Sequence, residues 1–230
     1  MYIPIEVRPE HERIGRLSNP SKMPFYAWGI PVSHCNTGGK LRSVPGSVCF
    51  YCSVDGRGRY GCPSVKNANE RRARAMSSPT FVGDFTTVLN TLQERYGHDA
   101  HRWMDSGDIT PNLLGDICAI ASQNKTIRHW VPTKEFKLAK QAKNSLPSNV
   151  TLRVSAPMID GQPLDLGLPT STVHDKMAPI DFECPAHLQG NKCGDCRACW
   201  EYPGNISYPA RFVPPPIDPQ SPPLARIEGT

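Results

Sequence analysis

The sequence predicts an α/β fold: a small or partial (β/α) barrel that carries a C-terminal cysteine-rich metal module. Three observations point there. Helical and strand-like patterns alternate with short connections across residues 64–156, as parallel βα units require. Polar turns at 105–108 and 132–134 follow strand-like runs, at the strand ends where such folds gather their chemistry. Nine cysteines form two local quartets and one outlier, and spacing of this kind marks metal sites.

The elements follow in order. Residues 1–30 read as an irregular, proline-containing arm, and 31–62 as a Gly-, Ser- and Cys-rich loop ordered by metal. Ser64 to Met76 has a helical pattern. In Phe81 to Tyr96, Phe85, Val88, Leu89 and Leu92 recur at helical spacing, and Gly97 supplies a C-cap. His101 to Met104 reads as a strand that runs into Asp105-Ser106-Gly107-Asp108. Thr110 and Pro111 open the next helix as N-cap and first turn, with Leu113, Leu114, Ile117, Ile120 and Ala121 on its buried face. Ile127 to Val131 is a second strand, followed by Pro132-Thr133-Lys134 and a basic helix to about Asn144. Val150 to Ser155 is a third strand. Residues 157–183 read as a long, proline-broken loop that closes a catalytic domain spanning 31–183. Residues 184–212 form the metal module, and 213–230 a Pro-rich tail.

Composition narrows the function classes. No apolar run approaches the roughly 18 residues of a membrane span, and the N-terminus lacks the pattern of a signal peptide. A reducing cytoplasm and no membrane partner are therefore expected, and there clustered cysteines serve as metal ligands more often than as disulfides. The net charge is +5. Basic residues concentrate in Arg57, Arg59, Lys66, Arg71, Arg72 and Arg74, and in Lys134, Lys137, Lys140 and Lys143. Each group reads either as a track for a phosphate backbone or as a solvated helix face.

In Cys193-Gly-Asp-Cys196-Arg-Ala-Cys199 the two-residue gaps let the backbone fold around an ion, and Cys184 completes four thiolates. Four thiolates suit structural zinc or an iron–sulfur cluster; zinc is expected here, with His187 as a spare ligand. Cys35, Cys49, Cys52 and Cys62 form the second group, as a zinc site or an iron–sulfur site. Cys35, Cys49 and Cys52 could hold a cluster with one iron open. The gap from Cys35 to Cys49 exceeds the commonest radical-SAM spacing, whereas the aromatic Tyr51 just before Cys52 fits that pattern. Cys118 stands alone in an apolar helix.

At the strand ends, Asp105 and Asp108 could attack a sugar carbon, transfer protons or bond a nucleobase edge, or simply cap the following helix. Gly107 permits close backbone approach. Thr133 and Lys134 read as phosphate contacts or helix caps, and His129 as a catalytic residue facing the same pocket or a structural one.

Two resemblances follow. The order of Cys49-x-Tyr51-Cys52, Ser106-Gly107-Asp108, Thr133-Lys134 and the terminal Cys193–Trp200 run is similar to a group of phage proteins with cysteine-rich loops, across most of 31–208. It implies a viral protein in a bacterial host cytoplasm. The later motifs resemble tRNA-guanine transglycosylases and the phage relatives that insert 7-deazaguanines into DNA. Asp105–Asp108 matches their Asp-Ser-Gly-Gly turn, Val131–Lys134 their Val-x-Pro-Thr-Arg-like turn, and Cys193, Cys196, Cys199, Trp200 and Tyr208 their zinc module. This resemblance implies a base-exchange enzyme on DNA, replacing guanine with a 7-deazaguanine such as preQ0. Where the family carries its nucleophilic aspartate this chain has His129, so Asp108 is the expected nucleophile and Asp105 the recognition group, with Ser106, Gly107, Thr133 and Lys134 on the substrate. The base must leave the helical stack to react. An iron–sulfur, radical-SAM-like enzyme and a non-catalytic zinc-stabilised nucleic-acid binder are the alternatives.

Overall fold

The computed structural model describes residues 2–52, 54–55 and 58–210. The expected tail at 213–230, Arg57 and the Arg59 side chain lie outside the described residues.

Among the described residues seven strands form one parallel sheet: β1 (Ala27–Trp28), β2 (Ala100–Trp103), β3 (Arg128–Thr133), β4 (Val150–Ile159), β5 (Thr170–His174), β6 (Phe182–Glu183) and β7 (Asn205–Pro209). Their order is β1-β2-β3-β4-β5-β7-β6. The α/β class is as expected, but the sheet is open, with β1 and β6 at its edges. The strict succession fails at β7, which sits between β5 and β6.

Among the described residues seven α-helices accompany it: α1 (Arg8–Arg13), α2 (Asn36–Leu41), α3 (Pro63–Ala75), α4 (Phe81–Tyr96), α5 (Pro111–Gln123), α6 (Phe136–Ala142) and α7 (Ala198–Glu201). The predicted caps are present. Gly97 closes α4 at φ 67°, and the Thr110 hydroxyl accepts from the Leu113 N–H at the start of α5.

Alternation along the strands separates two faces. Trp28, Trp103, Val131, Leu152 and Val154 join Phe81, Phe85, Leu92, Leu113 and Ile117 in the main core on the helical face. On the other face Ala27, Ala100 and Trp130 pack against Met23, Phe25 and Trp200, with Cys193 and Cys199 beside them. The cysteine-rich segment is therefore a lid on the second face of the sheet. It is tied to the sheet by β7 and by the Trp200 indole N–H, which donates to the His101 carbonyl at 2.8 Å.

Two expectations change. The arm at 1–30 contains α1 and the edge strand β1, too short to show a period in sequence. The loop expected at 157–183 contains the end of β4, all of β5 and β6. Its strands are brief and polar, and pairing rather than pattern defines them. Pro132 sits inside β3 without loss because the pairing with β2 ends at Arg102 and Trp130, leaving β3 paired only with β4 at Pro132.

Candidate functional site

The C-terminal ends of β1, β2 and β3 converge on one cavity of about 210 Å³. Cys35, Cys49 and Cys52 line it together with Asp105, Ser106, Gly107, Asp108 and Lys134. Cys35 stands at the N-cap of α2. The chain that brings Cys49 back is anchored to β4: the Val48 N–H donates to the Pro157 carbonyl at 2.8 Å, and Ser47 bridges to Met158. Glu135 fixes the start of α2 by accepting from the Thr37 N–H and hydroxyl, both at 2.8 Å. Gly38 keeps the space between two thiols open. A Cβ there would lie 3.3 Å from the Cys35 Cβ and 3.4 Å from the Cys49 sulfur. Burial pushes the Cys35 thiol up to about 12, and raises Cys49 against the pull of Lys134. Such thiols would have to lose their protons before they could ligate a metal.

The facing wall is a tightly locked turn. The Ile30 N–H donates to the Ser106 carbonyl at 3.1 Å, and the Ser106 hydroxyl donates to the Ile30 carbonyl at 2.8 Å. Gly107 has φ 77°, and a Cβ on it would stand 2.5 Å from Ile30 Cγ1, so glycine is required there. Asp108 is a staple between β2 and β3. Its carboxylate accepts from the Ile109 N–H (2.8 Å), the Thr133 hydroxyl (2.6 Å) and the Lys134 N–H (2.9 Å). Burial raises its pKa, and the three donors pull it back. Asp105 accepts from the Ser18 hydroxyl at 2.7 Å through one oxygen, while its other oxygen is buried without a partner.

The structure thus brings Asp105, Ser106, Gly107, Asp108 and Lys134 to one cavity, and Thr133 just behind it. His129 lies elsewhere. It is fully buried on the helical face, where Nδ1 accepts from the Trp103 indole N–H at 3.0 Å. Burial holds its pKa down at about 4, from an ordinary 6.5. An unfolded chain binds that proton near 6.5, so stability falls as pH drops from 6.5 toward 4, by about 3 kcal/mol. Burial lowers His101 and His11 as well, so urea midpoints across this range should show a slope that His129→Gln reduces without abolishing; an unchanged slope would refute the assignment.

Cys62 lies outside the cavity, exposed at the N-cap of α3, and Cys118 is half-buried against the helical core. The basic residues also separate. Arg72 is buried, bonded to the Arg16 carbonyl at 2.7 Å and to Asn69 at 2.9 Å, so it braces α3 rather than meeting phosphate.

A second cavity of about 490 Å³ adjoins the first, sharing Val48 and Lys134 with it. Cys184, Cys193, Cys199 and His187 line its far side. The Cys199 sulfur lies 3.3 Å from the Tyr208 hydroxyl, and Cys196 turns back on Cys193 through a backbone bond of 3.0 Å. Among the described residues no three Cys, His, Asp or Glu side chains stand grouped as ligands of one ion. All nine cysteines carry free thiols. The surroundings nonetheless fit negative charge at the downstream group. Arg153 is fully buried nearby with no carboxylate partner, and its Nε is unbonded. This cavity and Arg153 were not legible in the sequence, where Arg153 is one basic residue in a strand. A buried arginine without an acid is the physical signal, and it needs the fold to appear.

Among the described residues no helix is long and apolar enough to cross a membrane. A sequence model of the family described as Gene product 88 matches residues 29–202. No curated protein and no solved structure matches the chain.

Proposed function

The chain belongs to the Gene product 88 family, its matched span contains both cysteine groups, and from that premise we propose that it is an iron–sulfur enzyme of the radical-SAM kind. One observation carries the reading: Cys35, Cys49 and Cys52 share a cavity with the turn after β2, at the C-terminal edge of an open parallel sheet. These three side chains would supply three thiolates to a cluster with one open iron once drawn together around it, since among the described residues no three ligands are yet grouped for one ion, and Gly38 leaves no side chain against Cys35 and Cys49. Cys35, Cys49 and Cys52 would hold the cluster, which would supply an electron to a bound S-adenosylmethionine co-substrate. The chain's own residues shape the rest. Ser106, Gly107 and Asp108 form the wall that would meet this co-substrate, and the locks on Ile30 and Thr133 hold that wall still. Cys184, Cys193, Cys196 and Cys199 would hold a second metal, zinc in a structural role, with Arg153 balancing its thiolates.

The base-exchange reading, in which Asp108 attacks a deoxyguanosine in DNA and admits a 7-deazaguanine, draws less support. The Asp108 oxygens are engaged by three donors within the protein, and His129 faces away. Phage origin suits a family described as a numbered gene product.

Protein purified without oxygen should be brown, with absorbance at about 400 nm and about four irons per chain assigned to the upstream thiols. Replacing Cys35, Cys49 and Cys52 together by Ser should remove those irons, and Cys62→Ser should keep them. Colourless protein with stoichiometric zinc at both groups would overturn the reading. Incorporation of labelled preQ0 into duplex DNA by such protein would favour base exchange instead.

A further inference from the structure

We propose that the larger cavity, between the two cysteine groups, binds a small dianionic molecule: a phosphate ester or a dicarboxylate. Its walls bring cations from three separate parts of the chain. Lys22 precedes β1, Arg102 comes from β2, and Lys134 follows β3. No acidic side chain is among the described residues that line it. None of the three cations makes an ion pair with a described residue. Charges left this way in a concave, partly enclosed space attract an anion more strongly than the same charges on an open surface.

Arg102 is the best placed of them. Its guanidinium lies over the Trp130 ring at 4.7 Å, and its Nε is buried without a hydrogen-bond partner. Stacking fixes the plane of the fork; one terminal nitrogen donates to the Met23 sulfur at 3.6 Å, a weak acceptor, and the other is left for a planar or tetrahedral anion, the kind of group that arginine recognises through its planar fork. Ser155 and Ser171 add hydroxyls on the floor, linked to each other at 3.0 Å. Met23, Val48, Trp130 and Ala156 supply apolar wall for the ligand's body. A volume of about 490 Å³ suits a molecule of nucleotide size. The competing account is that these cations only balance thiolates, since Lys22 and Arg102 lie near Cys193.

That the anion is the substrate rests on the iron–sulfur reading, because Lys134 and Val48 belong to both cavities. The anion site itself does not, and the test keeps the two apart. Binding of adenosine 5′-monophosphate, pyrophosphate and succinate is measured on the full chain by calorimetry, with neutral adenosine as control. Saturable binding is expected for at least one of the anions at about 1 mM or below, and none for adenosine. Arg102→Gln and Lys134→Gln should each weaken it roughly tenfold or more, with Lys22→Gln as an exposed third variant that leaves the packing alone. The phosphates and succinate separate the two ligand sources. Chain carrying Ser at Cys35, Cys49 and Cys52 should still bind, so loss of iron and loss of anion binding are read independently. Failure of all three anions to bind the unaltered chain, or equal binding by the Arg102 and Lys134 variants, would overturn the proposal. Unchanged anion affinity with metal lost from those variants would establish the charge-balance account in its place.

Discussion

Arg153→Met is expected to lower the stability of the fold by about 3 kcal/mol. The side chain is fully buried, and no acid pairs with it. Instead it spreads its donors over carbonyls. One terminal nitrogen donates to Thr170 and Gly204 at 2.8 Å each, and the other to Tyr202 and Ala198. Those carbonyls belong to β5, to the turn before β7 and to α7, so a single strand residue ties the cysteine-rich lid to the sheet. Methionine fills much of the volume and removes the cost of burying a charge, which offsets part of the loss. It still leaves inward-turned carbonyls short of donors. Lysine should fall between the two, because an ammonium cannot span four acceptors in a plane. Urea unfolding of the three proteins checks the order, and equal midpoints for arginine and methionine would refute the bracing role. The lid should loosen first, so the Cys193 and Cys199 thiols should become reactive toward a thiol reagent in the methionine variant before the sheet unfolds.

Asp108→Ala should cost a similar amount, about 3 kcal/mol. The carboxylate is the common acceptor for the Ile109 N–H, the Thr133 hydroxyl and the Lys134 N–H. None of these donors can turn to water without opening the junction of β2 and β3. Asp108→Asn keeps one acceptor oxygen and should cost less, about 1–2 kcal/mol. A nucleophile would behave differently: alanine and asparagine would both abolish turnover while leaving the unfolding midpoint nearly untouched. The two midpoints together with an activity assay therefore separate a staple from a reacting group.

The middle of the chain was legible because its helices carry apolar residues at helical spacing and end in recognisable caps. Phe85, Val88 and Leu92 show the spacing, and Gly97 and Thr110 the caps. The turn at Asp105–Asp108 was legible as a strand-end feature, but its reactivity was not. Sequence shows two carboxylates, and only packing reveals that the Asp108 oxygens are occupied. His129 misleads for the same reason. Alternation places it on one face of β3, and nothing local says which face meets the helices. β5, β6 and β7 escaped because short polar strands such as Thr170–His174 owe their form to neighbours far along the chain. The upstream cysteines were legible as a group of four, of which Cys35, Cys49 and Cys52 line the cavity and Cys62 does not. Their meeting with the Asp105–Asp108 turn was not, since it depends on β1 and β2 lying side by side.

The position of β7 sets an order of assembly. β6 has β7 as its strand neighbour, and Cys184 is held by a bond from its N–H to the Ser207 carbonyl at 2.9 Å. During synthesis both must wait for residues made some twenty positions later. The nascent chain therefore completes its first cysteine cavity while the second thiol group is still unassembled, and the final strand works as a latch that brings Cys184 to its place last.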